Sequence, residues 1–167
     1  MATAANPYAG YLGDKEPYFV LRSTVDRIRE LTAGLTPEQI AAPPAPGKWS
    51  IYQIVGHLAD CELMFQVRGR MIMFQNNPTL VAFDQDPWVL GWMRENEPWE
   101  ETFERFSVLR RSSLRLFTNA TGHDLLRYGT HTERGPITVE DIVSTMAGHD
   151  INHLQQIERI SGIDSAR

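Results

Sequence analysis

The sequence predicts an all-α protein, a four-helix bundle with up-down-down-up topology. Three observations predict it. Four stretches repeat apolar residues at helical spacing. No stretch alternates convincingly as a strand would. The connection between the second and third helical stretches is long enough to cross the bundle, where a short loop would force antiparallel neighbours. A chain of 167 residues, 42% hydrophobic and 22% charged, has the composition of a soluble globular protein. One domain covering residues 1–167, with its core in roughly 17–162, is expected.

Residues 1–16 read as irregular. Pro17 opens the first helix, with Asp14 or Glu16 near its positive end. Tyr18, Leu21, Val25, Ile28 and Leu31 then mark one face, and Gly34 ends it. Thr36-Pro37-Glu38 starts a short turn of helix. The proline-rich run from Ala42 to Gly47 is a stiff connector that cannot be helical.

Ser50 is the N-cap of the second helix, with Gln53 completing a capping box. The helix is expected to reach Gln75, with Ile51, Ile54, Leu58, Cys61, Phe65 and Ile72 as its stripe and His57 at the stripe's edge. Asn76-Asn77-Pro78 stops it. Residues 76–98 form the long crossover, which contains FDQDPW. The third helix runs from near Pro98 to near Asn119 on a face of Trp99, Phe103, Phe106, Leu114 and Phe117, with Arg110 in the same stripe. Thr121 to Pro136 reads as irregular and holds His123 and His131. The fourth helix runs from an N-cap at Thr138 to Ile160, with Asp141 at the capping-box position and Gly162 as its stop.

That last helix carries GHDINHLQQI. His149 and His153 stand four residues apart, one turn on the same face, in the middle of the apolar stripe of Val139, Ile142, Met146, Ile157 and Ile160. A buried polar group without a partner costs roughly 1–3 kcal/mol. Two imidazoles facing a core therefore call for a shared partner, and a divalent metal is the obvious one. His57 lies about 10 Å into its helix and His153 about 10 Å from the end of the last. Antiparallel pairing of these two helices makes them level. Parallel pairing would offset His57 by about 6 Å from His149 and about 12 Å from His153.

Three histidines leave a coordination position open, the pattern of a catalytic rather than a structural zinc. Water or a cosubstrate thiol could be activated there. Cys61, four residues after His57, could close the shell, although a free cysteine is more often a buried small hydrophobe. HDINH is not the zincin motif HExxH, because Asp150 replaces the glutamate and is a poorer general base. His131, Arg110 and Asp150 are further catalytic candidates. For His131 the plainer expectation is a solvated loop side chain; for Arg110 it is snorkelling to the surface. Asp84 and Asp86 could flank the site mouth or simply serve a turn before Pro87. Trp49 is expected to be a packing anchor, and His123 has no ligand role.

Net charge −5 argues against a general nucleic-acid binder. One cysteine excludes an intrachain disulfide and fits a reducing cytosol. No apolar run is long enough to span a membrane, and the N-terminus lacks the basic and apolar regions of a signal peptide. A cytoplasmic protein with a small-molecule substrate is expected, with neither a nucleic-acid nor a membrane partner.

KWSIYQIVGHLADCE (Lys48 to Glu62) followed by GPITVEDIVSTMAGHDINHLQQI (Gly135 to Ile157) resembles the DinB-like, or YfiT-like, metal-dependent enzymes over nearly the whole chain. The resemblance implies the same four-helix topology. It also implies zinc or nickel held by His57, His149 and His153. Relatives include thiol transferases that use bacillithiol or mycothiol, a mycothiol-dependent maleylpyruvate isomerase and proteins described as hydrolases, and many are homodimers. The expected function is thus a metal-dependent transferase acting with a low-molecular-weight thiol, probed against two alternatives. These are a metal-dependent hydrolase of a small amide or ester, and a non-catalytic metal-binding sensor or structural module.

Overall fold

A computed structural model describes residues 6–92 and 97–163. The expectations for residues 1–5, 93–96 and 164–167 lie outside the described residues. Four long helices dominate: α2 (Pro17–Thr32), α4 (Ile51–Phe74), α6 (Trp99–Thr118) and α8 (Val139–Ser161). Shorter helices are α1 (Ala9–Leu12), α3 (Pro37–Ala41), α5 (Gln85–Trp92) and α7 (Gly122–Leu126).

The long helices start where local chemistry satisfies their free N–H groups. Glu16 accepts from the backbone N–H of Tyr18 and Phe19 ahead of α2, with Pro17 in the first turn. Ser50 with Gln53 and Thr138 with Asp141 form capping boxes at α4 and α8. Gly162 ends α8 at φ 70°, the left-handed conformation that glycine adopts without strain.

Side-chain pairs fix the directions. Between α4 and α6, Asp60 meets Arg105, Gln66 meets Leu109 and Ser112, and a Cβ at Gly69 would strike Phe117, so both numbers rise together and the helices are parallel. Thr24 meets Asp150 and Arg27 meets Glu158, making α2 and α8 parallel. Tyr18 meets Phe117 while Leu21 meets Arg110, so α2 and α6 are antiparallel. α4 therefore runs antiparallel to α8, and across this pair His57 meets His149 while the Phe65 ring meets His149 edge-on. Up-down-down-up is the observed topology.

Two apolar clusters fill the bundle. One gathers Leu21, Ile72, Phe117, Ile142 and Met146. The other gathers Ile28, Leu31, Ile51, Leu58, Phe106 and Ile157. Between them lies a polar stratum of His57, Glu62, Arg110, His149, Asp150 and His153, all buried.

A small sheet accompanies the all-α bundle, where no convincing strand was expected. β1 (Thr79–Leu80), β2 (Tyr128–His131) and β3 (Gly135–Thr138) form a small sheet in the order β1-β2-β3. β2 pairs parallel to β1 and antiparallel to β3. Strands of two to four residues are too short to show a period. Pro136 is tolerated because β3 is an edge. The stretches expected to be irregular before Pro17 and between Thr121 and Pro136 thus carry α1, α7 and the β2–β3 hairpin, and the long connection carries β1 and α5.

Candidate metal centre

α4 and α8 bring three imidazoles to one point. His57 Nε2 lies 3.0 Å from His149 Nε2, and His153 Nε2 lies 3.1 Å from the same atom. The rings are 1%, 4% and 5% exposed for His57, His149 and His153, so bulk water does not serve these nitrogens. Burial, followed by the neighbouring imidazoles, depresses their basicity: His57 falls to about 3 and His149 well below the usual 6.5. Burial likewise takes His153 to about 4. All three are neutral at neutral pH, with lone pairs available.

A neutral imidazole has one N–H, so hydrogen bonding within the trio satisfies only part of this convergence. A shared cation would satisfy all of it. Nitrogen donors bonded to one ion at about 2.0–2.1 Å stand about 3 Å apart, the spacing seen here. The donor set fits a divalent metal. One departure from the usual pattern is His153 Nδ1, which is buried without a hydrogen-bond partner among the described residues, where a ligating histidine normally donates its second N–H.

Cys61 is nearby. Its Sγ is 3.5 Å from His57 Nε2, and it groups with His57 and His149 with all donor atoms within 4.8 Å. His153 reaches the same point through its Nε2, 3.1 Å from that of His149. Burial, with Asp60 and Glu62 close by, pushes the Cys61 thiol up and holds its proton in place.

Aromatic side chains wall the cluster. The Trp49 ring sits 4.9 Å from that of His57 and lies nearly parallel to that of His153, at 6.3 Å. The Tyr8 ring meets His149 edge-on at 5.0 Å. Gly148 makes this approach possible, since a Cβ there would come within 2.5 Å of the Tyr8 carbonyl oxygen.

Arg110 does not snorkel. It is 2% exposed and bridges two carboxylates. Its Nε donates to Glu62 at 2.8 Å, its two terminal nitrogens reach Asp150 at 2.5 and 3.0 Å, and one of them also meets the Leu21 carbonyl at 3.1 Å. Burial works against the guanidinium charge, but Asp150 and Glu62 raise its pKa above the ordinary value. Burial also raises the Glu62 carboxyl, opposed by Arg110, and Ser113 donates to it. Asp150 takes a further hydrogen bond from Thr24 at 2.6 Å. Both of its oxygens are engaged in this network, although the residue follows His149 directly.

His131 is not a solvated loop residue. It is buried in β2, and its Nδ1 accepts from the backbone N–H of Glu133 and Arg134. Asp84 and Asp86 are exposed, with Asp84 accepting from the Asp86 N–H in a turn at the start of α5. His123 is exposed on α7. Glu62 was not singled out by the sequence, although it lies within the quoted motif; its importance depends on Arg110, 48 residues away.

A sequence profile of the DinB superfamily matches residues 21–157. A protein of Oceanobacillus iheyensis named as a metal-dependent hydrolase is 27% identical over 138 residues, 83% of this chain and 79% of its own. A second from the same organism, named likewise, is 24% identical over 130 residues, 78% of this chain and 75% of its own. The solved structure of YfiT from Bacillus subtilis, described as a probable metal-dependent hydrolase with an unusual four-helix bundle topology, superposes with a TM-score of 0.76. It is 20% identical, and the match covers 89% of this chain and 87% of that one.

Proposed function

Because the chain belongs to the DinB superfamily, we propose that it is a metal-dependent enzyme holding zinc or nickel with His57, His149 and His153. We propose further that it transfers a low-molecular-weight thiol to an electrophilic small molecule. The observation that carries this reading is the convergence of three neutral imidazoles, 3.0 and 3.1 Å apart, in a cluster that no carboxylate joins among the described residues. The ion supplies Lewis acidity, which lowers the pKa of a thiol beside it. The chain supplies the rest. His57, His149 and His153 offer lone pairs, and Trp49, Phe65 and Tyr8 shield the centre from water. Asp150, the carboxylate nearest in sequence, is occupied by Arg110 and Thr24, so the cosubstrate thiol would release its proton to solvent as it enters, and its sulfur would bond to the electrophile as the electrophile's leaving group departs with its electron pair.

The names of the relatives favour a second reading, hydrolysis of a small amide or ester. A third, a sensor or structural module, is favoured if Cys61 supplies a fourth donor from its place 3.5 Å from His57. A cytoplasmic homodimer belongs to the same proposal. The test is an assay of metal-loaded protein with bacillithiol, mycothiol and glutathione against common electrophiles. Turnover that requires a thiol is expected. Ester or amide cleavage without thiol would establish the hydrolase instead. No turnover, with a Cys61→Ser variant losing metal, would establish the closed module.

A further inference from the structure

Gln156 belongs to the same stretch, GHDINHLQQI, as His149 and His153. It stands three residues after His153 on α8. Side chains three apart on a helix are neighbours, and each leans toward the helix N-terminus, over the turn before it. Gln156 therefore lies over the turn that carries His153. It is half-buried, whereas Gln155 beside it is exposed. Gln156 also lines a groove of about 450 Å³ with Lys48, Trp49 and Arg159. The Trp49 ring runs nearly parallel to that of His153, so the imidazole and the amide share one aromatic neighbour.

The His153 ring has one nitrogen committed to the cluster and one left over. Its Nε2 faces His149 at 3.1 Å. Its Nδ1 is one of three buried side-chain atoms without a hydrogen-bond partner among the described residues, and the one of those three that belongs to the cluster. A ligating histidine normally uses this second nitrogen to hold its orientation, through a carboxylate, a carbonyl or water. Asp150 does not serve, since both of its oxygens are held by Arg110 and one of them also by Thr24. Cys61 stands at the corresponding nitrogen of His57, with Sγ 3.8 Å from Nδ1. For His153 the polar neighbour is Gln156. Burial lowers the basicity of that ring, and Asp150 and the Gln156 side chain oppose the fall.

We infer that Gln156 is the positioning residue for His153: its amide pairs with Nδ1 and holds Nε2 toward the shared ion. The role rests on the proposed metal centre and on no particular reaction. When Nε2 gives its lone pair to an ion, Nδ1 carries the ring proton, and the amide oxygen accepts from it. When Nε2 instead donates to His149, Nδ1 is an acceptor, and the amide NH2 donates to it. Glutamine serves both tautomers by turning its amide end for end. A carboxylate serves only the first, and a methionine serves neither. A glutamine thus suits a ligand that changes tautomer as the ion arrives.

The test uses the full chain. Zinc affinity is measured by competition with a chromophoric chelator, and the protonated nitrogen of His153 by NMR of protein labelled with 15N-histidine. Gln156→Met, similar in size and without an amide, should weaken zinc binding about tenfold to a hundredfold, the usual loss for an outer partner of a ligating histidine. Gln156→Glu should bind zinc at least as tightly as the parent, because an anionic acceptor makes the imidazole a stronger donor. Gln155→Met should bind as the parent does. In the zinc-loaded parent the proton on His153 Nδ1 should exchange slowly with water, and in Gln156→Met it should exchange fast. Mere packing against the groove would not move that signal. Unchanged zinc affinity in Gln156→Met, unchanged exchange of the Nδ1 proton, or equal weakening by methionine and glutamate overturns the role. Should Gln156→Met not fold, Gln156→Glu decides: zinc weaker than in the parent overturns the role, and zinc as tight or tighter supports it. A parent that binds neither zinc nor nickel overturns the proposed metal centre, and this role falls with it. A parent that binds zinc while Gln156→Met binds it equally well removes the role of Gln156 alone.

Discussion

At the residue scale, three side chains remote in sequence are expected to behave as one. If His57, His149 and His153 share an ion, alanine at any of them should severely lower metal occupancy, measured by elemental analysis of untagged protein. His123→Ala should not, since that side chain is exposed on α7. Full occupancy in His57→Ala together with loss in His149→Ala would exclude His57 as a ligand. Acid should act through the same residues. In metal-free protein their folded pKa values lie below the unfolded value of about 6.5, near 3 for His57 and 4 for His153. The unfolded chain therefore binds more protons over that window, and stability present above pH about 6.5 is lost as pH falls toward 3. The melting temperature should drop between pH 7 and pH 4, and His57→Gln should flatten the curve; an equally steep curve in that variant would exclude the mechanism. Arg110 is the other sensitive residue. Arg110→Met strands Glu62 and Asp150 as buried carboxylates and should destabilise by about 3–5 kcal/mol in urea titration. A loss under 1 kcal/mol would mean that the network relaxes by protonation.

At the element scale, the long helices were legible because their signals are local. Ser50 with Gln53, Thr138 with Asp141, and Gly162 act within a single turn, and each lies where the structure caps a helix. The histidine pair was legible for the same reason, being i and i+4 on one stripe. The small sheet was not, because its strands are two and four residues long and depend on pairing between Thr79 and Thr130, 51 positions apart in numbering. Arg110 was misjudged because its partners sit on other helices, 48 and 40 residues away. α1 offers a test of packing between elements. Gly148→Ala places a methyl within 2.5 Å of the Tyr8 carbonyl, so either α1 moves or α8 bends. A loss of about 1–3 kcal/mol is expected, with new proteolytic cleavage near residues 8–12. An unchanged digestion pattern and melting temperature would show that α1 does not rest on Gly148.

At the scale of the whole molecule, bound metal should stabilise the bundle by about 2.7 kcal/mol when free ion is a hundredfold above its dissociation constant. A chelator should accordingly lower the melting temperature of the parent and leave the three histidine variants nearly unmoved. The overall topology was readable from one long connection and from matching the positions of three histidines along two helices. The polar stratum between the two apolar clusters was only half readable, since its ionic half is assembled from three separate helices. That ionic half also governs how the molecule can open. One guanidinium on α6 holds Glu62 on α4, Asp150 on α8 and the Leu21 carbonyl on α2. No single long helix can detach without exposing or stranding a charge on another, so partial opening at this level gains little over complete unfolding. Amide hydrogens near Leu58–Glu62, Phe106–Ser113 and Met146–His153 should therefore exchange only through the global transition, with one shared protection free energy and one shared denaturant slope. In Arg110→Met the three segments should separate into different exchange isotherms, because the knot that makes them a single cooperative unit is gone.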